Sequence, residues 1–148
     1  MKIAFLTSGG NAPCLNSSIG RLLSNFSNSG FNISAIGYLN GFTGLLQGES
    51  IELPLNLTTN QADFFYIYGG SFIGNSRVKL TNIVDCINKK LINPNEVPLE
   101  VAANQLIKDN VDILFTIGGD DTNTTAKDLR NYINEKNIEI TVLGIPKT

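Results

Sequence analysis

Apolar positions along the chain fall into two alternating kinds of run. Ile3-Ala4-Phe5-Leu6 is a short continuous stretch, broken at once by Ser8-Gly9-Gly10-Asn11, as expected of a buried strand meeting a turn. Leu15, Ile19, Leu22, Leu23 and Phe26 then recur at helical spacing, marking one face of a helix that stops near Gly30. Ile33 to Tyr38 predicts a second strand. Residues 1–38 therefore read as strand, glycine turn, helix, strand, the parallel βαβ unit.

The middle is less periodic. Gly41, Gly44 and Gly48 predict a loop, Ile51 to Leu57 alternates weakly, and Gly69-Gly70 marks another turn. Ile83, Val84, Ile87 and Leu91 predict a helix from about Thr81, interrupted at Pro94-Asn95, and Leu99, Ala102, Ala103 and Leu106 carry a further helical face. Val111 to Ile117 is the strongest strand, and its near-continuous apolar character suits a central parallel strand covered on both faces. Gly118-Gly119-Asp120-Asp121-Thr122 follows, then a helix with Ala126, Leu129 and Ile133 inward. A last strand, Ile140 to Ile145, runs into Pro146-Lys147-Thr148. The alternation predicts an α/β fold: an open, mostly parallel, Rossmann-like sheet with helices on both faces, binding ligands at the carboxyl ends of its strands. The chain stops at one such strand end, as expected of a truncated product or fragment rather than a complete protein.

Composition narrows the field without choosing within it. At 148 residues, 42% hydrophobic and 16% charged, the chain fits one soluble globular domain. A net charge of −2 and no basic stripe give no reason to expect a nucleic-acid partner. No apolar run reaches membrane-spanning length, so no membrane partner is expected. Cys14 and Cys86 are too few for a disulfide framework, and reduced thiols in a cytoplasmic protein are the simpler expectation. The absence of histidine excludes histidine-dependent triads and imidazole bases within this chain.

The candidate chemistry lies at two glycine turns, Gly9-Gly10 and Gly118-Gly119, each between a strand and a helix. Glycine there lets backbone N–H groups approach an anion, and the following helix N-terminus adds free donors and a favourable dipole. Tight strand–helix turns also favour glycine for purely structural reasons. Asp120 alters the balance, because a carboxylate among phosphate-binding amides makes sense if Mg²⁺ stands between them. Asp121 adds a second negative charge at the same spot. The alternative is that one aspartate caps the helix, a role Thr122 could fill instead. Lys147, after the last strand, could offset that charge and bind a phosphate oxygen. Arg77 follows a glycine-rich loop suited to phosphate contact.

Five segments occur in the order and at the spacing of 6-phosphofructokinases, and the chain resembles that family throughout its length. They are Thr7-Ser8-Gly9-Gly10-Asn11-Ala12-Pro13, Asn40-Gly41-Phe42-Thr43-Gly44-Leu45, Gly69-Gly70-Ser71-Phe72-Ile73-Gly74-Asn75-Ser76-Arg77, Ile117-Gly118-Gly119-Asp120-Asp121-Thr122 and Gly144-Ile145-Pro146-Lys147-Thr148. The resemblance covers only the first part of the family's domain pair. It implies that residues 1–148 form a truncated N-terminal donor-binding domain without the substrate domain.

By the same resemblance, Gly10, Arg77, Gly119 and Thr122 contact the donor phosphates, Asp120 holds Mg²⁺, and Thr148 lies beside the sugar phosphate. ATP-using members generally carry glycine at the positions of Asp121 and Lys147. Aspartate and lysine there resemble the pyrophosphate-dependent branch, with both residues acting in catalysis. Physically, Asp121 would repel the inner phosphate of a nucleotide, and Lys147 could stabilise the phosphate that leaves. The implied reaction moves a phosphoryl group from pyrophosphate to the 1-hydroxyl of fructose 6-phosphate, giving fructose 1,6-bisphosphate.

The full-length protein is expected to be a homo-oligomer. The family's aspartate base lies just beyond Thr148, so this chain alone is expected to turn over little or nothing. Two departures stand out: Cys14 replaces a usual glycine, and Gly20 precedes Arg21 where allosteric bacterial members have arginine at once, so no effector site is carried over. The alternatives are an ATP-dependent 6-phosphofructokinase and a non-catalytic phosphate-binding relative. A lipid or NAD kinase would leave the first glycine turn, the Arg77 loop and the Pro-Lys-Thr end unexplained.

Overall fold

The computed structural model describes residues 1–55 and 59–147, with only the backbone described for 59–62. In chain order the elements are β1 (Lys2–Ser8), α1 (Cys14–Ser27), β2 (Ser34–Tyr38), α2 (Phe42–Gln47), β3 (Ser50–Leu53), α3 (Thr59–Ile67), β4 (Asn75–Ser76), α4 (Ile83–Asn88), α5 (Pro98–Lys108), β5 (Ile113–Gly118), α6 (Asp120–Glu135) and β6 (Thr141–Pro146). Among the described residues the strands form one sheet in the order β3-β2-β1-β5-β6, with β4 also paired to β1. β3 alone pairs antiparallel, so the predicted open, mostly parallel sheet is observed.

Alternation along each strand sends successive side chains to opposite faces and builds two cores. Ala4, Leu6, Ile36, Tyr38, Leu114 and Val142 meet α2, α5 and α6 on one face through Leu45, Leu106, Ala126 and Leu129. Ile3, Phe5, Ala35, Phe115 and Ile117 meet α1 and α3 on the other through Leu15, Ile19, Leu23 and Phe65. A one-residue slip of any central strand would exchange these sets, so burial on both faces pins the register. α1 and α3 pack closely because Gly20 is bare: a Cβ there would stand 2.5 Å from Cβ of Phe65. At the far side, the buried Tyr38 hydroxyl donates to Asp109 at 2.7 Å. Burial and that carboxylate raise its pKa well above the ordinary value, so it remains a donor.

Besides the two-residue β4, which the sequence reading left in a glycine-rich loop, three elements depart from that reading. Residues 42–47, expected as loop, form α2, because Gly41 (φ +65°) and Gly48 (φ +71°) bracket the helix in conformations that favour glycine. Gly44 reads as a breaker but is needed inside it, since a Cβ would stand 2.9 Å from the carbonyl oxygen of Glu49. α3 was not foreseen, because Phe64 to Tyr68 is a continuous apolar run without helical period. The weak alternation from Ile51 yields only the short edge strand β3, and residues 56 and 57 of that stretch lie outside the described residues.

Leu114 is fully buried in β5, whereas Leu143 in the neighbouring β6 is 42% exposed. Leu114→Ala is expected to cost about 2–5 kcal/mol and Leu143→Ala under about 1 kcal/mol. Urea unfolding should report this as a lower midpoint for the first at unchanged slope.

Candidate active site

Strand register brings four chain segments to one level. Ser76 of β4 lies opposite Ser8 of β1, Ser8 opposite Gly118 of β5, and Gly118 opposite Pro146 of β6. The residues that follow, Arg77, Gly9, Gly119 and Lys147, therefore leave the sheet side by side. Backbone bonds tie this row together: Gly9 N–H donates to the Ser76 carbonyl at 2.8 Å and Lys147 N–H to the Gly118 carbonyl at 2.9 Å. The chain leaves β1 toward β2 on one side and reaches β5 on the other, which makes this the switch point where open α/β sheets bind ligands.

The crevice encloses about 560 Å³. Gly10, Arg77, Gly119, Asp120, Asp121, Thr122 and Lys147 all line it, with Ser8, Gly9, Val78 and Lys79. Seven residues singled out in the sequence thus share one cleft. Thr148, expected beside the sugar phosphate, lies outside the described residues.

The four turn glycines serve two purposes. Gly9 has φ +88°, and a Cβ on Gly118 would stand 2.5 Å from the Ser8 carbonyl oxygen and collide with the Thr122 hydroxyl. The fold itself demands glycine at both. Gly10 and Gly119 differ, since a Cβ on either would meet Lys147 atoms at 3.7 and 3.8 Å, ordinary contact distances. There the missing Cβ leaves room facing Lys147, a cradle that a side chain would fill.

Neither aspartate caps α6. Its N-cap is Gly119, in extended conformation and with no side-chain capping bond; Asp120 and Asp121 are the first helical residues. Thr122 is not a cap either: it sits inside the helix, 3% exposed, with its hydroxyl against Gly9 and Gly118. Asn123 holds the turn instead, donating through Nδ2 to both the Gly118 and Gly119 carbonyls at 2.9 Å. Both carboxylates are exposed and complement the helix dipole from its first turn.

Three cations, Arg77, Lys79 and Lys147, line the same cleft as these two carboxylates. Lys147 Nζ donates to the Gly10 carbonyl at 2.6 Å. The cation that pairs with Asp121 is Lys79, at 2.9 Å, a residue that the sequence reading passed over. The one trace in the sequence is the alternation of charged and apolar residues along Arg77-Val78-Lys79-Leu80, which acquires meaning once Val78 and Leu80 are seen buried and the two cations exposed.

Among the described residues no group of three or more His, Cys, Asp or Glu side chains could hold a metal ion by itself. Two adjacent carboxylates beside glycine turns at a helix N-terminus fit Mg²⁺ nonetheless, because that ion takes one or two carboxylates and fills its remaining positions from phosphate and water. Asp120, with Asp121 next to it, is the donor set available. Neither cysteine lines the cleft: Cys14 is exposed, and Cys86 is buried, with its thiol pKa pushed up chiefly by that burial.

Comparison with known proteins gives a consistent outcome. The family model described as phosphofructokinase matches residues 2–148. The chain is 50% identical over 147 residues to the pyrophosphate–fructose 6-phosphate 1-phosphotransferase of Methylomonas methanica, covering 99% of this chain and 36% of that protein. To the protein of the same name from Mastigamoeba balamuthi it is 47% identical over 146 residues, covering 99% of this chain and 35% of the relative. The chain thus spans about a third of the length of these curated relatives. In fold it is similar to the crystal structure of a pyrophosphate-dependent phosphofructokinase from Nitrosospira multiformis, with a TM-score of 0.77 at 18% identity, covering 99% of this chain and 33% of that one.

The two classes of turn glycine should separate on substitution. Gly118→Ala is expected to lower stability by about 1–3 kcal/mol, because Ser8 and Thr122 have to move. Gly10→Ala should fall within about 0.5 kcal/mol of the parent. Comparing the two by urea denaturation checks this.

Proposed function

The chain belongs to the phosphofructokinase family, and from that premise we propose that it carries the donor side of a transfer from pyrophosphate to the 1-hydroxyl of fructose 6-phosphate. The observation that carries this reading is the cleft at the strand ends, where bare glycine turns, two adjacent carboxylates and three cations converge. The names borne by relatives at 50% and 47% identity support the choice of donor and acceptor.

In this reading the donor's outer phosphate rests against the N–H groups of Gly10 and Gly119, at the positive end of α6. Thr122 lends its hydroxyl beside Gly9, and the Arg77 guanidinium contacts the phosphoryl group in transit. Asp120, next to Asp121, would hold Mg²⁺, which when bound supplies neutralising charge to the donor oxygens. The bond between the bridging oxygen and the transferred phosphorus breaks as the sugar 1-oxygen takes its place, and phosphate departs. Lys147 stabilises the departing charge by moving its ammonium from the Gly10 carbonyl to a phosphate oxygen. Asp121 discourages nucleotides, because the inner phosphate of ATP would bring negative charge against its carboxylate.

The same proposal reads residues 1–148 as the donor-binding part of a larger, cytoplasmic and homo-oligomeric enzyme. The base for the sugar hydroxyl and most sugar-phosphate contacts beyond Thr148 would be supplied elsewhere in that enzyme. The chain's 36% share of a relative supports this division, and among the described residues no helix is long and apolar enough to cross a membrane.

Titration calorimetry of the chain with pyrophosphate and ATP, with and without Mg²⁺, tests the donor reading. Pyrophosphate with Mg²⁺ should bind at least about tenfold more tightly than ATP. Asp120→Asn should remove the benefit of Mg²⁺, and Asp121→Gly with Lys147→Gly should erode the preference. Tighter binding of ATP by the parent chain would sink the assignment.

A further inference from the structure

The ion pair between Lys79 and Asp121 has little to do for the fold. Its side chains are 46% and 77% exposed, and exposed pairs of this kind contribute little to stability. Asp121 needs no lysine to sit where it does, since a carboxylate in the first turn of α6 is already favoured by the helix dipole. Yet Lys79 is held to this position with some care. Val78 and Leu80 on either side are 4% and 1% exposed, which anchors the backbone on both flanks and turns the lysine into the cleft beside Arg77. Lys147 is seated in a comparable way, on a backbone carbonyl rather than on a carboxylate.

We propose that Lys79 is a donor-binding residue whose ammonium rests on Asp121 in the free protein and passes to a phosphate oxygen when the inorganic donor enters. This rests on the pyrophosphate reading above. The exchange trades one charge-assisted hydrogen bond for another of the same class. It also releases Asp121 beside Asp120 as the anion arrives, when two bare carboxylates become useful to a divalent cation. Lys79 enters from the β4 end of the row of strand ends and Lys147 from the β6 end, so their ammonium groups approach the donor from different sides. A compact donor with charge at both ends suits that spacing, whereas a nucleotide offers charge along one side.

Titration of the chain with pyrophosphate in the presence of Mg²⁺ tests this through Lys79→Met, Lys79→Gln, Lys79→Arg, Asp121→Asn and the double variant Lys79→Met with Asp121→Asn. Removing the ammonium should weaken binding about tenfold to a hundredfold, the worth of a hydrogen bond to a charged group. Lys79→Arg should keep most of the affinity. The loss should persist in the Asp121→Asn background, because the lysine acts on the ligand and not only on its resting partner. The Lys79 variants should unfold at the parent's denaturant midpoint. Unchanged affinity in Lys79→Met and Lys79→Gln, or a loss seen only when Asp121 is present, overturns the assignment while leaving the donor reading intact. Failure of the parent chain to bind pyrophosphate overturns both.

Discussion

Level termination of four strands is the constraint on which the rest of this molecule depends. Ser76, Ser8, Gly118 and Pro146 are held in one row by parallel pairing. That pairing cannot slip, because both faces of the central strands are buried against helices. From this row the chain must turn at once, twice through paired glycines, and α6 must begin with its free N–H groups at the crevice. The cleft is thus the place where a doubly wound sheet runs out of partners for its backbone. Chemistry is assembled there from the first residue or two after each strand.

Charge is then distributed so that the crevice is balanced internally. The two acids at the start of α6 would be a poor neighbourhood for an anion if they stood alone. Lys79 and Lys147, with Arg77, bring three positive charges to the same walls. Gly119 takes the capping position with no help from a side chain, so Asp120 and Asp121 are left exposed and facing the cleft.

Most of the fold was legible in the sequence because its elements are either long and periodic or short and wholly apolar. α1 shows the face of Leu15, Ile19 and Leu23, and β5 reads as a central strand from its composition. α2 was hidden because its glycines look like loop residues until the positive φ at Gly41 and Gly48 is known. β4 has two residues and no pattern of its own; only its pairing with Thr7 and Ser8 defines it. Within the site, glycine turns and adjacent acids pointed to segments that the structure brings into one cleft, since those residue types are unusual at such positions. Lys79 escaped notice because a lone lysine in a sequence is indistinguishable from a solvated one. Its alternation with Val78 and Leu80 acquires meaning once the core side of that segment is identified. The fold also divides the turn glycines into those it requires, Gly9 and Gly118, and those it leaves open, Gly10 and Gly119. No sequence pattern draws that line, because it depends on what stands opposite each missing methyl group.

The seat of Lys147 on the Gly10 carbonyl has a consequence for background ions. An ammonium that already holds an oxygen at 2.6 Å gains only a difference when it takes another partner. Chloride or bicarbonate, carrying a single diffuse charge, offers that lysine little reason to leave. A multiply charged phosphate, such as the proposed donor, would offer more than the contact it breaks. In the proposed donor reading, charge density would thus decide which solutes displace the contact, and common electrolytes would compete poorly for the cradle.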